Sequence, residues 1–108
     1  MQNTRGKRPL CQHNVVLPCK DAESAQKCIG VLKDAGLPGA MKSGAALYEF
    51  GLEMGSLTKV FAVEKWYKWE DLDEHLKVNI VPNLEVFNGF LVEPFDPAKN
   101  TVRINLEK

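Results

Sequence analysis

The stretch FAVEKWYKWEDLDEHLKV, residues 61–78, changes its period halfway along. From Phe61 to Trp66 bulky and β-branched residues dominate, as suits a pleated strand. From Trp69 onward the acidic residues come first, and Leu72, His75 and Leu76 recur at three- and four-residue spacing, which predicts a helix over WEDLDEHLKV. Glu70 and Asp71 fall in its first turn, where carboxylates suit the positive end of the helix dipole. A strand that passes directly into a helix, with one of the chain's two histidines at the helix margin, anchors the rest of the reading.

Working backwards, ALYEFGLE (46–53) and TKVFAVEKWY (58–67) read as two strands joined through Gly55-Ser56, a hairpin signal. Alternation puts Tyr48, Phe50 and Leu52 on one face, opposite Leu47, Glu49 and Gly51. In the second strand Val60, Ala62, Glu64 and Trp66 oppose Phe61, Val63, Lys65 and Tyr67. CQHNVVLP (11–18) predicts a first strand stopped by Pro18. DAESAQKCIGVLKDAG predicts a helix with Asp21 as N-cap, Gly36 as its stop, and Ala25, Cys28, Ile29 and Leu32 as its buried stripe. GLPGA then reads as a breaker. Asn79–Leu91 predicts a short helix with Pro82 near its start and Leu84, Phe87 and Leu91 inward, EPFDPAKN a loop, and TVRINLE a last strand.

The order β-α-β-β-α-β, with an extra helical turn before the last strand, is the ferredoxin-like arrangement, an α+β fold with a four-stranded antiparallel sheet. Residues 11–108 are expected to form one domain and residues 1–10 a flexible tail. Two helices cover one face of such a sheet, so Phe61, Val63 and Tyr67 on the other face predict a partner, and a homodimer is the commonest closed solution.

Composition excludes several classes. Fourteen Lys and Arg balance fourteen Asp and Glu, so no net field draws in nucleic acid or an anionic membrane, and the cluster of Arg5, Lys7 and Arg8 is too short for a basic arm. No apolar run reaches a membrane span or a secretory signal, and the chain is expected in the cytoplasm. Cys11, Cys19 and Cys28 have neither the even count of a disulfide framework nor a metal-ligand spacing. Cys11 with His13 would supply only two ligands, which do not make a metal site.

The residues resemble those of the antibiotic biosynthesis monooxygenase family of dimeric α+β barrels. In that family a Gly-x-x-x-Tyr strand opening precedes Glu-x-Trp, then five residues, Leu, two residues and His-Leu. Gly44 and Tyr48, Glu64 and Trp66, Leu72, and His75-Leu76 match. The chain departs where YKW follows the strand, and where NIVP stands in place of the second His-aromatic pair of many relatives. Heme-degrading relatives pair a strand Trp and a first-strand Asn with a later His. Trp66 and Asn14 fit that pattern, but His75 falls too early for an axial ligand.

The resemblance implies a homodimeric barrel and a monooxygenase, or a related isomerase, that works without metal or flavin on a small hydrophobic quinol- or anthrone-like metabolite. The substrate's own anion would pass an electron to O₂, leaving the protein to supply an apolar pocket, a proton acceptor and orienting hydrogen bonds. His75 is the expected acceptor, with Glu64 fixing its tautomer. Trp66, Tyr48, Asn14 and Phe87 are the expected substrate-binding residues; Asn14 and His13 lie on opposite faces of the first strand, and the sequence leaves open which of the two is polar lining. The bland alternatives stay open: His75 as a boundary histidine, the aromatics as packing, and the whole protein as a dimeric binding or stress-associated barrel without chemistry. They differ in whether Glu64 and His75 meet across a cavity or across packed side chains.

Overall fold

Four strands order as β2-β3-β1-β4 in one antiparallel sheet in the computed structural model, which describes residues 7–108. The strands are β1 (Cys11–Pro18), β2 (Ala45–Leu52), β3 (Lys59–Trp66) and β4 (Thr101–Asn105). Most of the tail expected over residues 1–10 lies outside the described residues. Within them Arg8 donates to the Glu107 carbonyl, and the Leu10 carbonyl accepts from the Leu106 amide at 2.8 Å.

Burial alternates along β1, with Cys11, His13, Val15 and Leu17 inward, and along β3, with Val60, Ala62, Glu64 and Trp66 inward. The inward set of β3 is the one its alternation predicts. In β2 the register slips between Ala45 and Leu47, so one extra residue lets both Ala45 and Tyr48 face the core. Gly55, at φ +84°, supplies the left-handed residue of the hairpin turn.

The helical layer departs from the sequence expectation at GLPGA. Helix α1 (Ala22–Val31) starts at Asp21, whose carboxylate accepts from the Ser24 amide at 2.7 Å, as its cap signal predicts. It does not stop at Gly36. A π-helical turn, Leu32–Gly36, carries the chain into α2 (Leu37–Lys42), and Gly36 keeps right-handed dihedrals (φ −63°, ψ −55°). Pro38 cannot donate to the ladder and would collide with the carbonyl of residue 34 in a regular helix. The wider turn just before it accommodates the ring without breaking the rod. The true stop is Gly44, at φ +103°.

Gly36 and Gly39 are therefore helix residues, one turn apart, and each leaves room for a side chain from elsewhere. A methyl at 36 would overlap the Tyr48 hydroxyl, and one at 39 the Asn79 amide. Gly36→Ala is expected to lose about 1–3 kcal/mol in urea unfolding, although alanine is the better helix former by about 1 kcal/mol. The same change made in a Tyr48→Phe background should cost clearly less. Equal losses in both backgrounds would mean that the hydroxyl does not press on α2.

The second helical run is also continuous where two helices were expected. Helix α3 (Trp69–His75) passes through a π turn, Leu76–Ile80, and a 3₁₀ turn, Val81–Asn83, into α4 (Leu84–Phe90). Pro97–Asn100, expected as loop, forms a single helical turn, α5, capped by Asp96. One apolar cluster, built on Val15, Leu17, Cys28, Leu32, Val60 and Phe87, lies under α1 and α4. A second, built on Ala40, Ala45, Tyr48, Trp66 and Leu72, lies under α2 and α3. On the opposite sheet face lie half-buried Phe61 and Val63, with no helix over them among the described residues.

Candidate functional site

Strand register brings four polar residues into one row across the sheet. Tyr48 on β2 stands opposite Glu64 on β3, Glu64 opposite His13 on β1, and His13 opposite Arg103 on β4. Directly opposed residues in an antiparallel pair have Cα atoms about 4.5–5.5 Å apart, so the row is a continuous band of polar side chains on the helix-covered face. Its inner members are deeply buried: His13 is 2% exposed and Glu64 3%. They survive there because they are partnered. His13 Nδ1 lies 3.3 Å from Glu64 Oε2, and the Trp66 indole N–H donates to Glu64 Oε1 at 3.1 Å.

The row floors a cavity at the seam between the two apolar clusters. Its inner part, about 40 Å³, is walled by Leu17, Leu32, Ala62 and Phe87 around His13, Glu64 and Tyr48. An outer part of about 230 Å³ shares His13, Leu76, Ile80, Leu84 and Phe95 with it and opens past Pro97 and Arg103. Both π segments contribute walls, Leu32 from the first and Leu76 and Ile80 from the second. Burial pushes the Tyr48 phenol well above its ordinary range, with the nearby Glu64 carboxylate and Cys28 adding to the effect. The hydroxyl therefore keeps its proton and is available as a donor.

The expected coupling of Glu64 to His75 is not made. Both Glu64 oxygens are engaged by His13 and Trp66, whereas His75 Nδ1 meets the Asn79 amide nitrogen at 3.0 Å. With the amide donating, the ring proton sits on Nε2, a buried nitrogen that has no hydrogen-bond partner among the described residues. The imidazole is fully buried, 5.4 Å from Trp66 and edge-on to Tyr48 at 5.9 Å between ring centroids. Neither His75 nor Trp66 lines the cavity. They meet across packed side chains.

Burial holds the His75 imidazole below the usual histidine range. His13 pushes the same way, and Glu64 pulls part of the way back. A folded-state value below the unfolded one means that the unfolded chain binds more protons between the two. Stability should therefore fall as pH drops from about 6.5, the unfolded histidine value, toward the lower folded one, with a slope of at most about 1.4 kcal/mol per pH unit from this group. Urea midpoints measured from pH 7.5 to 5 should show a shallower acid decline in His75→Gln than in the parent. Parallel curves would remove His75 as the cause.

Of the other expected site residues, Tyr48 and Phe87 line the cavity. Asn14 does not: β1 alternation turns it to the uncovered face, where it accepts from Gln12 Nε2 at 3.0 Å. His13 is on the inner face instead. A signal for this was present in β1, since Cys11, His13, Val15 and Leu17 form a more apolar set than Gln12, Asn14, Val16 and Pro18. Arg103 was not singled out, and one residue in a terminal strand offers no pattern that would have done so.

Among the described residues no three of His, Cys, Asp and Glu gather where they could hold a metal ion, and no helix is long and apolar enough to cross a membrane. The three cysteines are free and buried. Burial, with the nearby Cys19 sulfur adding its charge and accepting a hydrogen bond from the Cys28 thiol, pushes that thiol up to about 12, which suits a core residue better than a nucleophile.

No family model matches the chain, and no curated protein matches it. Solved structures do. A monooxygenase from the gene ActVA-Orf6 of Streptomyces coelicolor, in complex with the ligand nanaomycin D, superposes with a TM-score of 0.75 at 11% identity, covering 99% of this chain and 96% of that one. A structure described as an antibiotic biosynthesis monooxygenase gives 0.69 at 10% identity over 91% and 97%. A dimeric ferredoxin-like protein from an uncultured marine organism gives 0.65 at 8% identity over 94% and 90%. The chain has the ferredoxin-like α+β fold of the antibiotic biosynthesis monooxygenases. At these identities the likeness concerns the fold.

Proposed function

We propose that this protein is a monooxygenase-like enzyme that works without metal or flavin on a small aromatic quinol, with His13 rather than His75 as proton acceptor. The observation that carries the proposal is the buried His13–Glu64 couple at the floor of an otherwise apolar cavity. Glu64 holds Nδ1, which leaves Nε2 to take a proton from a substrate hydroxyl, and Trp66 keeps the carboxylate in place. The Tyr48 hydroxyl offers a hydrogen bond to the developing oxyanion. The resulting phenolate can give an electron to O₂. Net insertion of one oxygen atom into a hydroquinone, with the other leaving as water, yields a hydroxyquinone and balances with no further reductant. The same acid–base pair would equally serve a proton-transfer isomerisation.

Cavity size narrows the substrate expected from sequence. An apolar cavity of about 150 Å³ holds benzene, whereas drug-sized ligands occupy roughly 300–1,000 Å³. An outer pocket of about 230 Å³ suits one ring, not the three fused rings of an anthrone. We place the homodimer contact on the uncovered sheet face around Phe61 and Val63, with the dimeric ferredoxin-like neighbour in support.

Oxygen uptake with substituted hydroquinones should be measurable and should fall at least about a hundredfold in His13→Ala, the low end for loss of a positioned base. Turnover that survives His13→Ala and falls in His75→Ala would reverse the assignment. The packing of the motif residues Trp66 and His75 behind the wall favours a second reading, a binding barrel without chemistry. Saturable binding of the same compounds without oxygen uptake or isomerisation would establish it.

A further inference from the structure

At the mouth of the outer pocket, Arg103 is the one cationic residue in the lining among the described residues. It is held in place from two sides. Its guanidinium lies 5.3 Å from the centroid of the Trp69 ring, and one of its nitrogens donates to Asp73 at 2.7 Å. Trp69 is itself fixed by donating its indole N–H to Asn105 at 3.0 Å. A guanidinium has five donors, so those not engaged by Asp73 remain for a ligand. The other polar group at the mouth, the Thr101 hydroxyl, is already committed to the Pro97 carbonyl at 2.7 Å.

The charges along the cross-strand row are ordered. Glu64 lies at the closed end, His13 next to it, and Arg103 at the open end, directly opposite His13. An anionic group on a ligand is repelled from the Glu64 end and attracted to the Arg103 end, while an uncharged hydroxyl is compatible with His13. Between the two ends the walls are Leu76, Ile80, Leu84 and Phe95, which offer an aromatic ring only apolar contact. The pocket is therefore polar at its ends and apolar between them, with the Arg103–Asp73 ion pair at its outer end and the guanidinium's remaining donors free for an anion.

We propose that the site takes a hydroxylated aromatic acid, the ring carboxylate pairing with Arg103 at the mouth and a ring hydroxyl meeting His13 within. The inference rests on the proposal above that the pocket binds a small aromatic molecule, and adds a carboxylate and an orientation to it. Arg103 makes this choice as a specificity residue; the proton chemistry remains with His13 and Glu64.

The test compares hydroquinone with 2,5-dihydroxybenzoate, which differs by one carboxylate, in calorimetric or NMR titrations of the full chain at low salt. The acid should bind about tenfold more tightly, equivalent to about 1.4 kcal/mol, and the preference should shrink as salt is raised. In Arg103→Gln the ratio of the two affinities should fall close to one, and in Arg103→Glu it should invert. The ratio is insensitive to any general loosening of the fold, because both ligands meet the same protein. An acid that binds no better than hydroquinone, or a preference retained in Arg103→Gln, overturns the inference and leaves the pocket proposal standing. No binding of either compound at millimolar concentration overturns both. Arg103-dependent binding of the acid without oxygen uptake upholds the inference and removes the oxygenase chemistry.

Discussion

Glu64→Ala should cost both turnover and stability. The carboxylate is the shared acceptor of two buried partners, His13 Nδ1 and the Trp66 indole N–H, so removing it strands both. Each stranded buried group costs about 1–3 kcal/mol, and breaking a buried His–Glu pair from one side belongs to the severe class of about 3–5 kcal/mol. We expect a loss of at least about 3 kcal/mol in urea unfolding, a large part of the roughly 5–15 kcal/mol that a domain has. Glu64→Gln keeps the shape and an acceptor for the indole, and should recover most of that stability. It should not recover turnover, because an amide cannot stabilise the imidazolium that forms when His13 takes a proton. A drop of about a hundredfold or more in oxygen uptake is expected for Glu64→Gln. Full activity in this variant would show that the couple is structural only.

Trp66→Ala should be the most destabilising single change. The indole is fully buried, packs on His75, and belongs to the cluster of Tyr48, Ala45 and Leu72. Truncation of a buried tryptophan typically costs about 3–5 kcal/mol through lost burial and the cavity left behind. Trp66→Phe should lose less, about 1–3 kcal/mol, mainly by depriving Glu64 of its indole donor. If Trp66→Ala proved as mild as Trp66→Phe, the indole would be a lining residue with space around it and not part of the packed wall. Either variant should also reduce oxygen uptake, because Trp66 positions Glu64, and Glu64 positions His13.

The strands were legible because alternation is a local signal. Val60, Ala62, Glu64 and Trp66 fall inward as their period predicts, and Asp21 caps α1 as its type predicts. The helix boundaries were not. Gly36, Pro38 and Gly39 carry the composition of a breaker, yet the chain remains helical through all three. The deciding fact is that Tyr48 and Asn79 need the space a side chain would occupy there, which no local pattern expresses. The spaced set Glu64, Trp66, Leu72 and His75 was correctly located as a unit joining sheet to helix, and all four are buried. Which histidine the carboxylate meets depended on strand pairing. His13 is 51 residues from Glu64 in sequence and opposite it in the sheet, whereas His75, closer along the chain, faces Asn79.

Periodicity, turn residues and caps thus determined by themselves that this protein is a ferredoxin-like α+β domain, which face of β3 is buried, and that the carboxylate of Glu64 lies on that face. Tertiary structure alone decided how the candidate site is assembled. Cross-strand register lines up Tyr48, Glu64, His13 and Arg103 from four separate strands, and packing encloses His75 while leaving His13 at the cavity. Strand type is set by near neighbours, but register and enclosure are set by contacts between residues far apart in sequence, and those exist only once the chain has folded.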